Sequence, residues 1–265
     1  TLGWQSIIGT LDNLDIYSRK YVTFKETNVI NFISFEDANP SSINNCLIKA
    51  AYNVKETRDY LPASSIEQIH NLLNDFKVIR NKKKKVSTAN LYKLIEGSQR
   101  FFGIINDNFS IGYPFEFIRM GRYMERADMI SRILDTLCLS ASLNQMHDFK
   151  TLEWASMLRN LSAQEAFREE SKAEIERGSV LKFLIQNKGF PRSISKCLEQ
   201  IEDCVSSLPN NVLMKDEIKK TINKNFVAHI DKYDDDKLHI FLQELQKRLI
   251  KLDERIHKSW FLLHS

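Results

Sequence analysis

Leu238, Leu242, Leu245, Leu249, Leu252 and Ile256 recur at alternating four- and three-residue intervals, with Leu263 one heptad further on. A run of that period fixes one apolar stripe along a long helix and excludes a strand, whose sides alternate every second residue. A stripe this narrow and this sustained suits a long antiparallel bundle helix. The rest of the chain agrees. Only 8 Gly and 5 Pro interrupt 265 residues. Ile43, Leu47, Ala50 and Val54 keep helical spacing, as do Ile66, Ile69, Leu73 and Phe76. Leu91, Leu94, Phe102 and Ile105 do the same, and so do Ile194, Cys197, Leu198, Ile201 and Val205. No stretch shows convincing strand alternation. The expectation is an all-α fold, a multi-helix bundle forming one domain over 1–265.

Several boundaries can be read locally. Trp4 to Tyr17 reads as one helix. Asn39-Pro40 reads as an N-cap with Pro at the first helical position, and Pro62 as the end of that helix. Ser64-Ser-Ile-Glu67 has the form of a capping box. The helix marked by Trp154 and Leu158 is expected to reach about Glu176. Val29–Phe35 and Val180–Ile185 are short apolar runs, ambiguous between helix and strand.

Hydrophobic residues make up 43% and charged residues 27%, as in ordinary globular proteins. A net charge of +4 is too weak to argue for nucleic acid, and Lys82–Lys85 reads as a solvated loop. No apolar run approaches the ~20 residues of a membrane span. Cys46, Cys138, Cys197 and Cys204 form no Cys-x-x-Cys pair and sit in apolar helical contexts, which reads as small core residues in a reducing cytoplasm. His70, His147, His229, His239, His257 and His264 have no Cys or acidic companion at a motif spacing and read as surface or cap residues. Asp234-Asp-Asp236 reads as an acidic N-cap of the final helix. No Walker, Rossmann or other phosphate-loop pattern is present, and no nucleophile–base set is visible. No cofactor and no metal is expected.

The chemistry concentrates in Arg119–Asp135. On a helix, Tyr123, Ala127, Ile130 and Leu134 form a core-facing stripe. Glu125, Asp128, Arg132 and Asp135 lie together on the other side. Arg119, Arg122 and Arg126 form a third column. Arg126 points between Ile130 and Ile133, so it is expected to be at least half buried and bonded to carboxylate or backbone oxygen. Three uses stand open: a solvated face, a salt-bridged core network, or an anion site. The helix starts at Asn39-Pro-Ser-Ser42 and Pro191-Arg-Ser193 add free backbone N–H groups that favour anions. Arg192, Ser193, Asn39, Ser41 and Ser42 therefore join the candidate set.

The two halves echo each other. Phe32, Pro40, Ser42, Ile43, Cys46 and Leu47 match Phe183, Pro191, Ser193, Ile194, Cys197 and Leu198 at one offset, that of Pro40 to Pro191. Trp4 matches Trp154 in nearly the same register. Two pseudo-repeats are expected, about 1–110 and 111–265. A first-half counterpart of the 119–135 helix would precede Thr1, so this chain is expected to lack it, leaving a groove for a partner or an exposed apolar patch.

Gly121-Arg-Tyr-Met-Glu-Arg-Ala-Asp-Met-Ile-Ser-Arg-Ile-Leu-Asp135 resembles the signature of the bacterial Alpha-E family, an α-helical domain with a Glu-Arg motif. Phe35–Ile43, Asn53 with Arg58, Phe183 with Phe190–Ile194, and Ile256–Phe261 are similar to that family too. Ala51 and Tyr52 depart from it, standing where the family tends to have an Arg-Glu pair. The resemblance implies an all-helical fold and another Glu-Arg helix near the N-terminus. It also implies genomic association with ATP-grasp proteins, transglutaminase-like proteases and a proteasome-like hydrolase. Two function classes follow. One is a non-catalytic helical module that presents substrate to an ATP-grasp amide-bond-forming system. The other is an enzyme, an amide or peptide transferase using Glu125 with Arg119, Arg122 and Arg126.

Overall fold

A computed structural model describes residues 3–82, 85–143 and 147–262, the side chains of 139–143 and 147–150 excepted. Lys83, Lys84, Leu263 and His264 lie outside the described residues, as does the side chain of His147. Every regular element among the described residues is helical. In chain order they are α1 (Trp4–Thr10), α2 (Leu14–Ser18), α3 (Glu26–Phe35), α4 (Ile43–Glu56), α5 (Ala63–Asn81), α6 (Thr88–Asn108) and α7 (Tyr113–Leu143). Then follow α8 (His147–Asn160), α9 (Gln164–Ser171), α10 (Arg177–Gln186), α11 (Ile194–Ser206), α12 (Val212–Val227), a 3-10 turn at Ile230–Lys232, and α13 (Asp235–Trp260). The chain divides into two compact units, Gly3–Phe115 and Glu116–Ser265.

In the first unit Ile8, Tyr17, Val29 and Phe32 form one small core. The Tyr17 ring stacks on Phe24 at 4.8 Å and meets Phe32 edge-on at 5.0 Å, and its hydroxyl donates to the Thr23 carbonyl at 2.8 Å. These contacts explain the non-helical Tyr21–Phe24 segment: its aromatics cover Tyr17 instead of pairing as a strand. A second core joins Ala51, Val54, Ile69, Leu72 and Leu73, where α4 and α5 pack and Leu94 and Phe101 of α6 lie against them. Gly97 lets α6 come close to α5, for a Cβ there would stand 2.3 Å from Leu72 Cδ2.

The second unit has one continuous core. It runs through Ala127, Ile130, Leu134 and Leu137 of α7, Leu158 of α8, Phe167 of α9, about half the residues of α10 and of α11, and the Leu238–Ile256 stripe of α13. The apolar run Val180–Ile185 is helical, with Val180, Leu181, Phe183, Leu184 and Ile185 buried and Lys182 exposed; an apolar face this wide shows little period in so short a run.

Some local expectations need correction. The Trp4–Tyr17 segment is two helices, broken where Asp12 takes φ 54°. The helix after Trp154 likewise breaks at Ser162, φ 51°, and α9 ends against Lys172, φ 47°. A left-handed residue ends an α-helix whatever the periodicity beyond it. Pro40 is not a first helical residue. Asn39 Oδ1 accepts from Ser41 N at 2.9 Å in a turn, and Ser42 is the N-cap, accepting from Asn45 N at 3.3 Å. α4 ends at Glu56, short of Pro62. Ser64–Glu67 forms no capping box: Ser65 Oγ donates to the Pro62 carbonyl instead. Cys46 is exposed, whereas Cys138, Cys197 and Cys204 are buried as expected of core residues.

Candidate functional site

α7 is the spine of the second unit, and its charged residues divide among three surroundings. Near its start, Arg119 donates to Glu116 Oε2 at 3.0 Å and to Gln200 Oε1 of α11 at 3.1 Å. Glu116 is buried, so this contact fastens α7 to α11. Arg119 thus leaves the expected three-Arg column and serves as a clamp.

On the side toward α13, Gly121, Glu125, Asp128 and Arg132 line a shallow pocket of about 280 Å³ with Leu249, Ile250 and Asp253. Arg132 Nε donates to Asp128 Oδ2 at 2.6 Å, as a salt-bridged cluster requires, while Asp128 Oδ1 is buried with no partner among the described residues. Glu125 lies at the mouth. Loss of water around its carboxyl and then the Asp128 charge push its pKa upward, with Arg132 pulling the other way. Asp135 leaves this group. Its Oδ1 meets His239 Nδ1 of α13 at 2.5 Å. Burial holds Asp135 above the usual carboxylate range, and His239 only partly offsets that.

The reading of His239 as a surface or cap residue is therefore corrected: it has an acidic companion. Sequence reasoning missed the pair because its members lie in different helices, far apart in the chain. The available hint was that His239 follows Leu238 at the edge of the α13 stripe. Arg177 was missed for the same reason. It opens α10 and donates to Asp235 Oδ1 at 2.8 Å and to the Tyr233 carbonyl at 2.6 Å. Asp234 does cap α13, accepting from Lys237 N at 2.8 Å. Among the described residues, no three His, Cys, Asp or Glu side chains converge to hold a metal.

The third surrounding is the N-terminal end of α11. Ser193, fully buried, caps it by accepting from Lys196 N at 3.1 Å and donates to the Asn187 carbonyl. Arg192, one residue earlier, donates to the Leu161 carbonyl at 2.9 Å. Arg122 and Arg126, one helical turn apart on α7, lie within electrostatic reach of Arg192. Burial first, and then the Arg126 charge, push the pKa of both Arg122 and Arg192 below the usual guanidinium value. Arg126 is half buried, as expected, but its expected oxygen partner is not there. It makes no hydrogen bond or ion pair among the described residues, and its guanidinium lies over the Tyr123 ring at 5.8 Å from the centroid. The adjacent Glu125 and Arg126 thus face different neighbours, because consecutive residues are turned about 100° on a helix.

Three cysteines are unsuited to nucleophilic work. Burial pushes Cys138 and Cys204 up to about 12 and Cys197 up to about 11, so all are thiols at neutral pH. The candidates of the first unit stand apart from α7. Asn39 is fully buried and donates to the Phe32 carbonyl at 3.1 Å, and Ser42 is its buried cap neighbour. Both are structural. Ser41 and Asn53 are exposed, and Arg58 is an exposed residue 3.6 Å from Asp59.

These features define an all-helical protein built on one long charged helix whose Glu-Arg pair links two differently charged surroundings. Residues 1–261 match the family described as a predicted α-helical domain with a conserved ER motif, and the chain belongs to this Alpha-E family. Glu125-Arg126 lies in the segment that carries the resemblance. No curated protein and no solved structure matches the chain. Among the described residues no helix is long and apolar enough to cross a membrane.

Proposed function

We propose that this chain is a non-catalytic binding module that presents a peptide or carboxylate substrate to an ATP-grasp amide-bond-forming partner. The observation that carries the reading is the cluster of Arg122, Arg126 and Arg192 at the start of α11. Like charges gathered in a half-buried place, with Arg126 making no ion pair among the described residues, favour an external anion. The α11 N-terminus adds its dipole in the same sense. Arg119, clamped to Glu116 and Gln200, takes no part in this cluster. The buried thiols and the absence of a nucleophile–base pair in the sequence support a partner that supplies the nucleotide chemistry. A transglutaminase-like or proteasome-like hydrolase is a second partner of the same system. Four free cysteines support a cytoplasmic location.

The opposing reading is an amide or peptide transferase that uses Glu125, whose raised pKa suits a proton carrier. One assay separates them: the purified chain, alone and with its neighbouring ATP-grasp protein, tested for ATP-dependent amide formation. The binding reading expects no turnover by the chain alone, and stimulation of the partner that Arg126→Gln or Arg192→Gln abolishes. Turnover by the chain alone, lost on Glu125→Gln, establishes the transferase.

We also infer that the two units are copies of one helical design. α3 and α10 are both ten residues long and start 151 positions apart, as do α4 and α11. The left-handed Asp12 and Ser162 stand in the register of Trp4 and Trp154. Tyr17–Phe32 and Phe167–Phe183 are edge-on aromatic pairs at 5.0 and 5.3 Å. Superposing residues 31–60 on 182–211 in an experimental structure tests the inference, and unrelated paths would end it.

A further inference from the structure

The second unit contains a larger cleft, about 730 Å³, between α10 and the segment that runs from the end of α12 into the 3-10 turn. Its volume lies in the range of small-molecule sites. One wall is fixed by Gln186, whose side-chain amide donates to the carbonyls of Asn225, Phe226 and Ala228 at 2.9, 3.1 and 2.7 Å. Those bonds satisfy the free carbonyls at the end of α12 and hold Phe226 and Val227 at the cleft although they are 49% and 71% exposed. Phe183 lines the cleft from the other side. Lys182 and His229 supply cationic and hydrogen-bonding capacity, and no carboxylate lies within ion-pair distance of Lys182 among the described residues.

The first unit has a cleft at corresponding positions: Lys20, Asn31, Phe35 and Glu36 line it, each 151 positions before Ser171, Lys182, Gln186 and Asn187. There every cation is matched. Lys20 pairs with Glu36 at 2.5 Å, Arg80 with Asp37 at 2.7 Å and Lys85 with Glu26 at 2.6 Å. In the second unit the Lys20–Glu36 pair becomes Ser171 and Asn187, while a lysine replaces Asn31. The Lys20–Glu36 charges are therefore absent from the equivalent walls, and Lys182 and Asp231 are the charged residues of a cleft whose apolar side is Phe183, Phe226 and Val227.

We propose that this cleft binds a small monocarboxylate with an apolar or aromatic body, the body against Phe183, Phe226 and Val227 and the carboxylate toward Lys182. The carboxylate of Asp231 at the same cleft disfavours a doubly charged group. A lysine ammonium without an arginine fork also suits a monoanion better than a phosphate. The site does not depend on the arginine cluster of α7.

The test follows backbone amide shifts of the whole chain by NMR while 3-phenylpropionate or the neutral 3-phenylpropan-1-ol is titrated at low salt. Both should shift Val227 and His229 in a saturable way, with the acid binding up to about fivefold more tightly, the scale of an exposed charge contact. Lys182→Gln, an exposed substitution, should bring the acid to the level of the alcohol. Phe226→Ala should weaken both, and Arg126→Gln should change neither. Equal binding of acid and alcohol, no saturable shift with either, or an acid preference that survives Lys182→Gln would overturn the proposal. Loss of acid binding on Arg126→Gln would also overturn it, by placing the anion at α7.

Discussion

Arg126 has a guanidinium half withdrawn from water, a tyrosine ring beneath it and two further arginines in its field. Had it been one partner of a buried ion pair, its removal would cost about 3–5 kcal/mol. With repulsion around it and a cation–π contact worth roughly 0.5–1 kcal/mol, Arg126→Gln should leave the melting temperature within a few degrees or raise it at low salt. Added sulfate should stabilise the wild type more than Arg126→Gln. A destabilisation on the buried-pair scale would show that Arg126 has an oxygen partner after all. His239 stands in the opposite position: His239→Ala strips a half-buried carboxylate of its partner and should cost about 1–3 kcal/mol near neutral pH. For Asp135 the sign is set by its raised pKa. The native chain holds that proton more tightly than the unfolded chain. This contribution to stability is full below the unfolded carboxylate pKa and is lost as pH rises through the folded one. Asp135→Asn should therefore improve relative to wild type in urea titrations as pH rises from below the unfolded carboxylate pKa through the raised folded one.

Elements in this fold are set by their ends as much as by their stripes. Ser193→Ala removes an N-cap that is fully buried and also bonded to the Asn187 carbonyl, so urea unfolding should show a loss of about 1–2 kcal/mol. It should also weaken any anion response that depends on the position of Arg192, one residue away. Gly97 decides the α5–α6 approach. Gly97→Ala brings a methyl against Leu72 and Gln68 within the packed face, and an overpacking loss of about 1–3 kcal/mol is expected, read from the same unfolding curve. The left-handed residues Asp12 and Ser162 were invisible to periodicity, because the apolar spacing continues across each break. Only the backbone conformation shows that one expected helix is two.

At the scale of the whole molecule the two units differ in how their apolar residues are joined. The second has one core from α7 to α13, and the first has two small separate ones. Amide hydrogen exchange should accordingly be slowest in α10 and α11 and faster throughout 3–115, since local opening follows the number of buried apolar neighbours. Equal protection in both units would show that the smaller cores are not the weaker ones.

The sequence by itself determined the helical class, the α13 stripe, the Ala127–Ile130–Leu134 face of α7 and the Glu-Arg segment. Each depends on spacing within one helix, where geometry repeats every 3.6 residues and needs no partner. It also determined which residues carry charge on α7. It did not determine what each charge meets. Arg119 finds Glu116 and Gln200, Asp135 finds His239, and Arg126 finds Arg122 and Arg192. Arg132 and Arg119 each found an acid one turn away, within reach of a spacing argument, but the second partner of Arg119, Gln200, lies in α11. Electrostatic and hydrogen-bond partners are chosen by distance in space, and chain spacing reports that distance only within a helix. The tertiary structure decided the rest: the cap at Ser42 rather than Asn39, the exposure of Cys46 against the burial of Cys197, and the cleft beside Lys182.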